Sequence, residues 1–286
     1  MRPALLLAAV CLGWGTIPLV ADEAGLPPAA LTFSRVWIAA AGLGLLLVST
    51  RPSGPKLLSI SPVRSLATGA VLAAHWTAMF AAYERVPASA VIFLIFLAPI
   101  GIAAVERPAR RLVLALAVAV VGFALVAGPT AEGADRSTAT GIAWAVVAGA
   151  LFVVLVLLAK PLAAAYGGLR LTFLEMVVAG VVLIPVALLT DWTGLERALP
   201  WLLLLGLAHT AIGTAVYLRT LAVLPATEVG ILGYLEPVGV VVFAWLLVGD
   251  QPGLATIIGG AIVVIAGAVA VSAPASDRSE VPGVPR

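Results

Sequence analysis

The side chains of this sequence that can exchange a proton or hold a charge are few, and the most telling of them stand inside long apolar runs. Glu236 lies about halfway along the run from Pro225 to Asp250, and the two histidines, His75 and His209, each fall near the middle of another. A carboxyl and two imidazoles at such depth suit proton uptake and release beside a polar solute, because an ionisable group inside an apolar run usually faces a protein-lined cavity. Trp14, Trp76 and Tyr234 are the aromatic candidates for lining that cavity. Arg35 and Glu175 stand nearer the ends of their runs, separated by more than about ten ångströms of depth on a 1.5 Å helical rise, and fit gates on opposite faces. Each residue also has a plainer explanation. A histidine can be neutral and satisfied by a hydroxyl or carbonyl, an acid can stay protonated and bond two helices together, and an aromatic ring can sit in an interfacial belt.

Catalysis has little else to work with. There is no Gly-rich phosphate loop, no GxSxG and no HExxH, and no Cys/His group has the spacing of metal ligands. No metal and no cofactor are expected, and the chain does not read as an enzyme. The single cysteine, Cys11, excludes an internal disulfide.

Only 10% of the 286 residues are charged and 62% are hydrophobic, against roughly a quarter and a half in soluble domains, so the chain belongs in lipid. The basic residues are scattered through short loops, which argues against a nucleic-acid partner. Ten apolar runs are long enough to be considered as crossings: one at the N-terminus, then 29–49, 63–83, 86–105, 112–129, 139–159, 171–190, 199–219, 224–248 and 253–273. The N-terminal run superficially resembles a signal peptide, but an uncleaved first span fits the rest of the pattern better. With the N-terminus inside, three of the sixteen Lys and Arg residues, Arg85, Arg136 and Arg197, fall in external loops. Arg35 lies within a run, and the other twelve are cytoplasmic. This positive-inside bias predicts ten crossings of the inner, cytoplasmic cell membrane with both termini inside.

The chain also repeats itself. Leu31-Thr32-Phe33 recurs as Leu171-Thr172-Phe173, Val86-Pro87-Ala88 matches Leu224-Pro225-Ala226, and Ala98-Pro99 matches Glu236-Pro237, all at offsets of 138 to 140 residues. These matches predict a duplicated five-helix unit, 1–129 and 138–273, joined by the polar link Thr130 to Ser137 and followed by a disordered cytoplasmic tail, 274–286. Five is odd, so the second unit enters the membrane from the opposite side. The expected fold is therefore an all-α integral membrane protein of ten helices in two inverted repeats, with a midplane site between them. Pro99 and Pro237, which lack an N–H, are expected to kink equivalent helices beside that site.

Trp14-Gly15, Arg35, the segment AAYERVPASA with its counterpart TLAVLPATEV, and above all LEPVGVVVFAWLLVGDQP ahead of a Gly/Ala-rich last helix resemble the drug/metabolite transporter superfamily, of the ten-helix EamA type. The resemblance spans nearly all of 1–273. It implies export or exchange of small metabolites, such as amino acids or related compounds, by alternating access across the cytoplasmic membrane. Protons are a candidate coupling ion, since Glu236 can be protonated in one access state and ionised in the other. A membrane-embedded enzyme and a structural or assembly protein are the alternatives. In one respect the chain departs from its own symmetry: Glu106-Arg107-Pro108 arrives about six residues sooner after Pro99 than Asp250-Gln251-Pro252 does after Pro237, so the fourth helix is short.

Overall fold

The computed structural model describes residues 3–56, 58–59, 61–86, 88–127 and 136–272, and every regular element among them is helical. The 274–286 tail and most of the 130–137 link lie outside the described residues. Among the described residues six stretches are long and apolar enough to cross a membrane: Pro3–Ala24, Pro28–Thr50, Pro62–Tyr83, Ala139–Tyr166, Leu195–Leu221 and Ala226–Val248. Helices suit this composition because in hydrocarbon each backbone polar group needs a partner within its own segment. The surface agrees, since large apolar side chains such as Leu189 (90% exposed) and Leu45 (74%) point outward, where lipid takes the place of water.

In chain order the elements are α1 (Pro3–Trp14), α2 (Ile17–Ala24), α3 (Pro28–Thr50), α4 (Pro62–Tyr83), α5 (Ala88–Ile95), α6 (Ala98–Glu106) and α7 (Arg110–Ala127) in the first half. The second half holds α8 (Arg136–Tyr166), α9 (Gly168–Val182), α10 (Ile184–Leu188), α11 (Leu195–Leu203), a π-helical stretch Leu204–Gly213, α12 (Thr214–Leu221), α13 (Ala226–Gly233), α14 (Leu235–Phe243), a π-helical turn Ala244–Val248 and α15 (Leu254–Val271). Arg136, expected in an external loop, is instead the first residue of α8. That helix also runs through Pro161, past the end expected at 159.

Two of the six long stretches are interrupted, and so is the α5–α6 segment. The first breaks at Gly15 and Thr16, the α5–α6 segment at Phe96 and Leu97, and the α13–α14 segment at Tyr234. Pro99 and Pro237 each fall in the first turn after their break, where a missing N–H costs nothing. The two later breaks face one another. A Cβ built on Gly230 would lie 2.9 Å from the Pro99 ring, and the Tyr234 hydroxyl donates to the Phe96 carbonyl at 2.7 Å. Phe96 and Tyr234 are 138 residues apart in sequence and 6.0 Å apart ring to ring.

Packing at the remaining crossings is backbone to backbone where small residues permit it. Gly15 at the first break lies against Gly239 of α14, where an added Cβ would meet the Gly239 carbonyl carbon at 2.3 Å. α7 and α15 meet in the same way, and a Cβ on Gly259 would lie 2.5 Å from the Gly122 carbonyl oxygen. Small residues at such contacts let helices approach closely where no hydrophobic force acts between them. The first core joins α1, α6, α7, α8, α9, α12, α13, α14 and α15 around Phe123, Leu171 and Tyr234. The second joins α3, α4 and α9 around Val36, Trp76 and Met176.

Candidate functional site

Between the two cores lies a cavity of about 210 Å³. Its lining includes Trp14 from α1, Arg35 from α3, His75 and Trp76 from α4, Glu175 from α9, His209 and Thr210 from the longer π-helical stretch, and Glu236 from α14. Six separate stretches of chain thus deliver nearly all of the polar candidates to one chamber. Arg35 and Glu175, expected as gates on opposite faces, both line it.

Each polar group is held differently. The Arg35 guanidinium carbon lies 5.3 Å from the centre of the Trp76 ring, a cation–π contact, and its Nε has no hydrogen-bond partner among the described residues. Glu175 is 2% exposed, and its Oε1 is likewise without a partner there. Buried charged groups are costly unless something answers them, so both atoms are unusual in so enclosed a place. His75 Nδ1 lies 2.8 Å from the Ala148 carbonyl oxygen. A carbonyl can only accept, so Nδ1 carries the proton, and in the neutral ring Nε2 keeps its lone pair.

His209 ties the first break to the π-helical stretch. Its carbonyl accepts the Trp14 indole N–H at 2.9 Å, its Nε2 lies 2.8 Å from the Thr16 hydroxyl, and its Nδ1 lies 3.2 Å from the Leu204 carbonyl oxygen. Thr16 Oγ1 is also 2.8 Å from the Gly13 carbonyl oxygen. One hydroxyl proton cannot serve Gly13 and Nε2 together, so while Thr16 donates to Gly13 it accepts from an Nε2–H of His209.

Tyr234 does not line the cavity. It is fully buried against Phe96 and Phe123, and its hydroxyl is used at the paired helix breaks. Tyr217, which counting along the sequence puts near a helix end and in an interfacial belt, lines the cavity instead and packs 5.8 Å from Trp14. The reason is local. A π-helix has a wider turn than an α-helix, so after Leu204–Gly213 the inward face passes through Thr214, Tyr217, Leu218 and Leu221. No run of residue types in 204–213 announces that turn. Among the described residues no group of three or more His, Cys, Asp or Glu side chains is arranged to hold a metal ion.

Comparison with known proteins points the same way. Residues 139–273 match the model of the EamA-like transporter family. Over 264 residues the chain is 24% identical to the uncharacterized transporter YxxF of Bacillus subtilis (strain 168), covering 89% of this chain and 84% of that one. A solved crystal structure superposes with a TM-score of 0.80 at 19% identity, over 94% of this chain and 97% of that one, which establishes a shared fold. With its apolar helices gathered around a polar cavity, the chain is a multi-pass membrane protein, and its residues 139–273 resemble the EamA-like transporter family.

Proposed function

We propose that this protein is a secondary transporter that exports or exchanges small zwitterionic metabolites, amino acids or close relatives, across the cytoplasmic membrane by alternating access. The observation that carries this reading is that the cavity pairs a buried cation, Arg35, with two acids, Glu175 and Glu236. Arg35 Nε and Glu175 Oε1 have no partners among the described residues, and Glu236 completes the polar lining. A solute bearing one carboxylate and one ammonium group meets both needs at once, the carboxylate at Arg35 and the ammonium at the acids. A chamber of about 210 Å³ suits a solute of that size.

The chain makes ten crossings as two inverted five-helix halves, with both termini in the cytoplasm. The offset matches, the charge bias of the loops and the meeting of Phe96 with Tyr234 at the two facing breaks support this arrangement. Protons are the coupling ion, taken up at Glu236 with His209 and His75 in the same chamber. Counterflow in proteoliposomes tests the reading. Vesicles loaded with a mixed unlabelled amino-acid pool take up labelled amino acid saturably and release it chemically unchanged, whereas an enzyme alters the solute and an assembly protein moves none.

A further inference from the structure

Four hydrogen bonds converge on one carboxylate where the two halves of the chain meet. Glu106 is the last residue of α6. Its Oε1 accepts from the Lys160 ammonium at 2.7 Å and from the Ala226 N–H at 2.8 Å, and its Oε2 accepts from the N–H and the hydroxyl of Thr227, both at 2.8 Å. Lys160 donates in addition to the Leu224 carbonyl at 2.9 Å. α13 follows directly on Pro225 and has no side-chain cap of its own, so an acid from the other half of the chain caps it and meets the positive end of its dipole. The tie stands just past one end of the cavity, because Ala159 and Leu221 line the chamber and Lys160 and Leu224 lie immediately beyond them. Other ties between the halves gather at the same end. Arg170 donates to the carbonyls of Pro52 and Ser53, and the Ser65 hydroxyl meets that of Tyr166 at 3.3 Å.

Asp250 stands at the opposite end of the 23-residue stretch Ala226–Val248, about 35 Å away on a 1.5 Å rise. In sequence it takes the place of Glu106, since Glu106-Arg107-Pro108 and Asp250-Gln251-Pro252 follow corresponding segments. The segment that Glu106 caps, Pro225-Ala226-Thr227, corresponds to Pro87-Ala88-Ser89. α5 begins at Ala88, just after α4 ends at Tyr83, and so starts at the Asp250 end of the bundle. Asp250 is exposed, and its carboxylate makes no hydrogen bond or ion pair among the described residues.

We propose that Glu106 and Asp250 are alternately engaged latches of the two access states. In the state described here Glu106 caps α13 and shuts its end of the chamber. When that end opens, Glu106 releases α13 and Asp250 takes the N–H groups at the start of α5, shutting the other end. The inference rests on the transport reading and its inverted halves, and it adds the two residues that set the balance between the states. A two-state element of this kind responds to the loss of either latch by shifting population toward the other.

The test is sided labelling of the full-length protein in membranes. Thr214→Cys, in the cavity lining, is placed on a Cys11→Ala background and reacted with a membrane-impermeant thiol reagent in intact cells and in inverted vesicles. Glu106→Gln is expected to raise the labelling rate from the Glu106 face, relative to the opposite face, about tenfold, and Thr227→Val to shift the ratio less in the same direction. Asp250→Asn shifts the ratio the other way, and the Glu106→Gln/Asp250→Asn double variant returns it toward the starting value. Thr227→Val leaves the Glu106 charge and its backbone bonds in place, so it carries the test if Glu106→Gln does not fold. An unchanged ratio in Asp250→Asn, or shifts of the same sign from both acids, overturns the proposal. Two-sided labelling and counterflow that ignore both acids remove the latches alone, whereas labelling from a single face in every variant, with no counterflow, removes the transport reading as well.

Discussion

A side chain's place in the apolar runs made Glu236, His75 and His209 candidates before any fold was known, because an ionisable group at that depth needs a reason to be there, and all three do line the cavity. What depth could not supply was direction around the helix. Tyr234, two residues from Glu236, turns away to the Phe96 carbonyl, and Arg35 and Glu175, well apart when counted along the helices, face one chamber. Two substitutions follow at this scale. Arg35→Gln removes a charged donor from the substrate carboxylate; at about 1.5–3 kcal/mol for such a bond, KM for a zwitterion rises roughly ten- to hundredfold while that for a substrate amide hardly moves. Initial-rate kinetics with both solutes check it, and equal losses for the two would mean that Arg35 acts on the fold and not on the carboxylate. Glu236→Gln keeps size and hydrogen bonding but cannot titrate, so exchange by this variant, at wild-type protein levels, should lose its dependence on pH. An unaltered rate and pH profile would make the carboxyl a bond between helices and nothing more.

The elements were readable in unequal measure. Apolar length gave nearly every helix to within a few residues, and Pro99 and Pro237 marked segments that do break, because a proline needs a position where its missing N–H is not wanted. The π-helical stretch Leu204–Gly213 was not readable, since its wide turn comes from how the segment packs and not from its residue types. That stretch holds His209 against α1, with Gly213 beneath the Trp14 indole, and a Cβ on Gly213 would stand 2.5 Å from the indole nitrogen. Gly213→Ala should therefore push Trp14 off the His209 carbonyl. It is expected to cost about 1–3 kcal/mol, read as a lowered melting temperature in detergent together with slowed exchange. Gly233→Ala, where nothing lies within 4 Å of the added carbon, is the matched control and should melt with the wild type. Equal behaviour of the two variants would contradict the role given to the close approach of α1 and the π-helical stretch.

For the molecule as a whole, the balance of charge between loops and the repeated tripeptides carried the reading of two inverted halves. That reading places Arg51, at the end of α3, and Asp191, in the turn before α11, on opposite faces of the membrane. Sided labelling of cysteines at the two positions checks it, and reaction of both from one face would undo the inverted arrangement. The cross-half tie at Glu106 was harder to foresee, because its donors are two backbone N–H groups, a hydroxyl and a lysine on segments more than fifty residues away in sequence. The claim on which the rest depends is that the polar chamber between the halves binds a zwitterion and carries it across. Counterflow in proteoliposomes holding the purified wild-type protein or Arg35→Gln measures this most directly. The account predicts saturable accumulation of a labelled zwitterionic amino acid by the wild type, abolished by an excess of the same solute but not by its amide or its N-acetyl derivative, and at least tenfold weaker in Arg35→Gln. Accumulation no greater than in protein-free vesicles across the amino-acid pool, or transport that ignores both charges of the solute and the loss of Arg35, would contradict it.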